Sequence, residues 1–125
     1  MILDTNALSA IADGNEAAME LVGRAATIAI PVIVLAEYRV GIAQSRHHAK
    51  YETWLREWIS AVQVLDVEDE TAKFYAALAL QLKRHGTPIP TNDLWIAALC
   101  AQHALPLLSR DRHFDVVAGL NRIAW

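Results

Sequence analysis

The chain has 125 residues, about one ordinary domain and long enough to bury a sizeable core. Hydrophobic residues make up 54% and charged residues 20%, which excludes a disordered tail or a low-complexity linker. With 11 Lys and Arg against 14 Asp and Glu the net charge is -3, which excludes a general nucleic-acid coat but not a nuclease, because a divalent cation inverts the local field.

In chain order, Ile2-Leu3 reads as a clipped first strand ending at Asp4, with Thr5 or Asn6 capping a helix from Ala7. A short helix is expected over 15–24. Thr27-Ile28-Ala29-Ile30 is β-branched and reads as a second strand, closed by Pro31, which also suits the first turn of a helix. That helix, 32–42, is apolar nearly all round except for Glu37, Tyr38 and Arg39, so it should be deeply packed. Residues 48–61 are amphipathic, with Tyr51, Trp54, Leu55, Trp58 and Ile59 at helical spacing. The aromatic stripe suits core packing or an interface. A third strand at 62–67 and a long helix at 69–83 follow, stopped by the segment His85 to Pro90. A helix over 92–103, a strand over 105–109, a helical turn over 112–118 and an edge strand over 120–124 complete the chain. Strands alternating with helices argue an α/β fold with a mainly parallel sheet. No repeat and no glycine-rich phosphate loop is present.

No signal peptide or membrane span is read from the sequence, and the single cysteine, Cys100, fits a reducing cytoplasm. Cys100 lies among alanines and leucines and reads as a buried apolar residue. The five histidines show no zinc-ligand spacing.

Most of the acids lie in polar settings and read as solvated charges. Asp4, Glu37, Asp93 and Asp111 differ, because each sits beside apolar residues at the end of a strand or at the start of or within a helix. In an open α/β sheet the carboxyl ends of the strands form the usual site edge, so these four can face one crevice. Each also has a structural alternative. Asp4 suits a turn, and Asp93 suits a helix N-terminus capped by Asn92 or Thr91. Asp111 can pair with Arg110 or Arg112. Glu37 is hardest to explain structurally, since Arg39 does not share its helical face. Clustered carboxylates repel one another, and Mg²⁺ or Mn²⁺ relieves that repulsion through oxygen ligands. Thr5, Asn6, Thr91, Asn92 and Ser109 lie beside the acids as accessory polar groups. Arg110, Arg112 and the Lys83-Arg84-His85 cluster are the basic groups available to an RNA backbone.

Four segments in order carry a resemblance: Ile2-Leu3-Asp4-Thr5-Asn6, the run Leu35 to Ile42 around Glu37, the run Gly86 to Ala98 around Asp93, and the run Leu107 to Phe114 around Asp111. Together they resemble PIN-domain ribonucleases of the VapC toxin type, over essentially the whole chain. The resemblance implies a single domain, 1–125, folded as a three-layer α/β/α sandwich. It implies an Mg²⁺- or Mn²⁺-dependent endoribonuclease with Asp4, Glu37, Asp93 and Asp111 as catalytic, metal-holding acids. It further implies a homodimer, an RNA substrate and a cognate antitoxin. Two departures are small: Ile123-Ala124-Trp125 lacks a frequent asparagine-proline, and Leu94 replaces a smaller residue. A receiver domain is disfavoured by the lone acid after the first strand and the arginines after the later one. A dehalogenase-type phosphatase is disfavoured because the chain reads Asp4-Thr5-Asn6. A catalytically silent binding module on the same fold stays open.

Overall fold

The computed structural model describes residues 1–125. Its centre is one five-stranded sheet in the order β3-β2-β1-β4-β5, with every pairing parallel. The strands are β1 (Ile2–Leu3), β2 (Ala29–Pro31), β3 (Gln63–Leu65), β4 (Leu107–Leu108) and β5 (Arg122–Ile123). The helices are α1 (Thr5–Ala12), α2 (Glu16–Arg24), α3 (Val32–Ala43), α4 (His48–Ile59), α5 (Asp69–Arg84) and α6 (Thr91–His103), and Arg112–Val116 forms a 3₁₀ turn. Helices flank both faces of the sheet in the expected three-layer sandwich. The chain winds outward from β1 through β2 to β3, then crosses back to β4. Parallel crossovers are right-handed, so this reversal places α5 and α6 on the opposite face from α1 to α4.

The middle strands carry the core. Ile2, Leu3, Ile30, Leu107 and Leu108 are fully buried, as a sheet covered on both faces requires. They belong to one cluster of 25 buried residues that includes Leu8, Val34, Leu55, Ile96, Leu99 and Phe114. Register brings Ile2 opposite both Ala29 and Leu107, and Leu3 opposite Leu108. The ladder runs one step further, where Asp4 N–H donates to Leu108 O (3.3 Å) and Ser109 N–H to Ile123 O (3.0 Å). Asp4 and Ser109 therefore leave adjacent strands side by side.

Several expectations need correction. The cap of α1 is Asp4, whose Oδ1 accepts from Ala7 N–H at 2.8 Å; Thr5 and Asn6 already lie within the helix. A carboxylate caps as well as a hydroxyl or carboxamide, and Asp4 is one residue nearer the strand. Pro31 is the last residue of β2 and the N-cap of α3, because its φ of -60° and ψ of 142° suit an extended strand end and a helix entry alike. Pro90 fills the same place before α6, so neither Thr91 nor Asn92 caps that helix. Helix α3 is apolar nearly all round yet is not buried all round. Val34, Leu35, Tyr38 and Ile42 face inward, while Val40 is 63% exposed and Val32 40%. The aromatic stripe of α4 lies half-buried against the core. Trp54 stacks on Trp58 at 5.4 Å and meets the edge of Tyr38 at 6.3 Å. No helix is long and apolar enough to cross a membrane.

Candidate active site

The four acids reach the carboxyl edge of the sheet by four routes. Asp4 directly follows β1, Asp111 follows β4, Glu37 lies in α3 after β2, and Asp93 lies in the first turn of α6. β1 and β4 flank the point where the winding reverses, the place where an open α/β sheet leaves a crevice.

Asp4 is the deepest, at 3% exposure. It accepts a hydrogen bond from Ala7 N–H, and the hydroxyl of Ser109, itself fully buried, lies near enough to draw its carboxyl down. The same Ser109 hydroxyl accepts from Asp111 N–H at 3.0 Å, so one side chain ties the ends of β1 and β4 together. Thr5 Oγ1 donates to Glu37 Oε1 at 2.8 Å, and Asn6 Nδ2 approaches Asp111 Oδ2 at 3.5 Å. Asp93 Oδ2 lies 2.8 Å from His113 Nε2, within ion-pair distance though without the alignment of a hydrogen bond. The His113 ring lies tilted against the buried Phe114 ring, with centroids 4.7 Å apart. Thr91 and Asn92 are exposed and their side chains join none of these contacts.

Electrostatics shows that the acids share a region. Burial pushes the Asp4 carboxyl above its ordinary value; Ser109 and Ala7 oppose the rise, and the charges of Asp111 and Asp93 add to it. Burial likewise pushes Asp93 up, against the pull of His113 and with help from Glu37 and Asp111. The four carboxylates thus feel one another's charge, and His113 lies in direct contact with one of them, Asp93. The donor set is all oxygen, which is the chemistry that Mg²⁺ or Mn²⁺ requires. As the side chains stand, no three of them are close enough together to hold one ion. Each acid is drawn instead to its own polar neighbour.

A family model described as the PIN domain matches residues 1–120. The chain belongs to the PIN-domain family. Among its relatives, this PIN domain is 32% identical over 120 residues to ribonuclease VapC5 of Mycobacterium tuberculosis, covering 94% of this chain and 87% of that one. It is 29% identical over 129 residues to ribonuclease VapC2 of Rickettsia felis, covering 99% and 96%. Of the solved structures, it is similar to VapBC2 from Rickettsia felis bound to a promoter DNA fragment, with a TM-score of 0.88, 26% identity and coverage of 99% and 97%. VapBC-5 from Mycobacterium tuberculosis, a member of the VapBC family of toxin–antitoxin systems, gives a TM-score of 0.77 at 29% identity, again covering 99% and 97%.

Two residues of the PIN domain's site edge have no advance signal in the sequence. His113 reaches Asp93 across the fold from a chain position 20 residues away, and histidine spacing alone says nothing of it. Arg122 clamps Asp115 with two hydrogen bonds of 2.7 and 2.9 Å and donates to Ser109 O at 3.1 Å, which fixes the turn bearing Asp111 and His113. Cys100 is 3% exposed, and burial pushes its thiol up to about 12, so it is no nucleophile.

Proposed function

We propose that this PIN domain is a metal-dependent endoribonuclease that hydrolyses RNA phosphodiester bonds, the toxin of a toxin–antitoxin pair. Asp4, Glu37, Asp93 and Asp111 are the acids that hold Mg²⁺ or Mn²⁺ and serve the reaction. One observation carries the reading: four carboxylates from four chain segments feel one another's charge at the reversal point of the sheet, and two of them are lifted by burial. The ribonuclease names of its relatives and the toxin–antitoxin composition of solved relatives support the same reading.

When bound, the cation offsets the repulsion among the acids and supplies positive charge against the charge that develops on the phosphodiester oxygens. The chain's own residues do the rest. Ser109 and Ala7 N–H fix Asp4, and Asn6 steadies Asp111. Thr5 engages one oxygen of Glu37, and Glu37 orients the attacking water and accepts its proton. Attack by water breaks the P–O3′ bond, so it leaves a 5′-phosphate on one fragment and a 3′-hydroxyl, protonated from solvent, on the other, rather than a 2′,3′-cyclic phosphate.

The test compares the parental protein with Asp4→Asn and Asp93→Asn on labelled RNA in Mg²⁺, with circular dichroism as the control for folding. Cleavage should fall roughly a hundredfold or more in both variants. A folded Asp4→Asn protein that cleaves at the parental rate overturns the assignment. The separation of the acids favours one second reading, a catalytically silent protein- or RNA-binding module. Binding without cleavage in the parental protein selects it. RNA, a cognate antitoxin and a second copy of the chain are the partners in this reading. Light scattering on the pure protein tests the last, since a mass of 13.8 kDa at micromolar concentration counts against a homodimer.

A further inference from the structure

Asp93 differs from the other acids in how it is held. Its one polar partner is His113, whose Nε2 lies 2.8 Å from Asp93 Oδ2. That nitrogen is shut off from solvent and has no other polar group within reach. A bare nitrogen lone pair repels a carboxylate oxygen, so a buried contact of this length requires the proton on Nε2. A small rotation of the ring or of the carboxylate brings the N–H onto the oxygen. No donor of the protein engages Asp93 Oδ1. One oxygen of this carboxylate is therefore committed and the other is free.

The imidazole is itself fixed from behind. Its ring lies against that of Phe114, which is fully buried, with centroids 4.7 Å apart. The 3₁₀ turn Arg112–Val116 carries both rings, and Arg122 pins it through two hydrogen bonds to Asp115 and one to Ser109 O. Ser109 in turn accepts from Asp111 N–H and lies beside Asp4. A continuous set of contacts thus runs from the joint of β1 and β4 to a carboxylate carried by a separate element, α6. Without it the Asp93 side chain, 21% exposed, has nothing else to fix its rotamer. Groups that hold a metal-binding carboxylate through hydrogen bonds typically account for about ten- to a hundredfold in metal affinity.

We propose that His113 is a positioning residue for the divalent cation: its Nε2–H holds Asp93 Oδ2 and leaves Oδ1 to the ion. The proposal rests on the metal-dependent reading of the site. Its test is the affinity for Mn²⁺, measured by titration calorimetry without RNA, of the parental protein, His113→Leu and His113→Gln. Leucine keeps the apolar packing on Phe114 and has no donor, whereas glutamine places an amide N–H close to the position of Nε2. His113→Leu should bind Mn²⁺ about tenfold more weakly or worse, and His113→Gln should stay within about threefold of the parent. The KM for RNA should be unchanged in both, and cleavage by His113→Leu should recover as Mg²⁺ is raised. Tighter binding by His113→Leu overturns the proposal. So does an equal loss in both variants, which assigns the effect to packing of the ring. If His113→Leu does not fold, ¹⁵N NMR of the parental imidazole at neutral pH decides. An Nε2–H retained when Mg²⁺ saturates the protein supports the proposal, and a bare Nε2 overturns it. Parental affinity in both variants removes His113 alone from the site, whereas a parental protein that binds no Mn²⁺ fails the metal-dependent reading along with it.

Discussion

Asp4 has two duties at one position. Its Oδ1 caps α1 through Ala7 N–H, and its carboxylate lies buried among other acids. Asparagine keeps the first duty and removes the charge, so Asp4→Asn separates chemistry from folding. Asp93 carries the repulsion more plainly. Burial lifts the carboxyls of Asp4 and Asp93 above the ordinary 3.8, so the folded protein binds more protons than the unfolded chain just above that value. Stability of the metal-free protein therefore falls as pH rises through the window between the ordinary and the raised values, and the full penalty stands at neutral pH. A cation that binds only the folded state reverses that trend. Asp93→Asn in EDTA should raise the melting temperature at neutral pH by roughly a few degrees, with no gain below the ordinary carboxylate range. It should also shrink the stabilisation produced by Mg²⁺. Differential scanning fluorimetry across pH, with and without Mg²⁺, measures both. A lower melting temperature for the variant in EDTA at neutral pH would show that the His113 contact outweighs the repulsion.

At the scale of elements, β1 and β4 are held in register beyond their last strand residues by the Asp4–Leu108 hydrogen bond and by Ser109. Ser109 is fully buried; its hydroxyl accepts from Asp111 N–H and lies near enough to Asp4 to draw that carboxyl down. Ser109→Ala leaves the Asp111 amide short of its partner and takes a polar group from beside the buried Asp4 carboxylate, which costs about 2 kcal/mol. It also removes a group that holds the Asp4 carboxyl down, so that carboxyl moves further up. Chemical denaturation should read the loss of stability, and the cleavage assay should read a larger loss of rate at lower pH. A variant as stable and active as the parent would mean the joint between β1 and β4 does not depend on the hydroxyl. Much of this arrangement could be read from sequence, because Asp4, Asp93 and Asp111 are marked by abrupt switches from apolar to polar residues at the ends of elements. The cap of α1 falls at Asp4 rather than at Thr5 or Asn6, since any of three consecutive polar side chains has the right chemistry and only the backbone decides. The exposed side of α3 was hidden because Val32, Ala36 and Val40 are as apolar as the buried side, so composition carried no direction. The partners His113 and Arg122 are tertiary pairings, and no local spacing announces them.

For the whole molecule, the acidic balance limits how RNA can be held. Arg24, Arg39, Lys73 and Arg122 are committed to ion pairs with Glu20, Glu52, Glu70 and Asp115. Of the remaining basic side chains, Arg110 and Arg112 flank Asp111, and Arg110 lies over the Trp125 ring at 4.9 Å. A single strand that enters the crevice therefore meets few phosphate-binding cations, and its affinity should depend only weakly on salt. Each neutralised phosphate contributes about 0.7 to the slope of log affinity against log salt, so two contacts give a slope near roughly -1.4. The measurement is anisotropy of a labelled single-stranded RNA with Asp4→Asn, which blocks turnover, across a range of monovalent salt at fixed Mg²⁺. Replacing Arg110 and Arg112 together by alanine should flatten the slope nearly to zero while leaving thermal stability close to that of the parent, because both side chains are exposed. A slope steeper than about -4 in the unreplaced protein would require phosphate contacts that these two arginines cannot make. It would place the RNA instead across the Lys83-Arg84-His85 end of α5, or across a basic surface completed by a second chain.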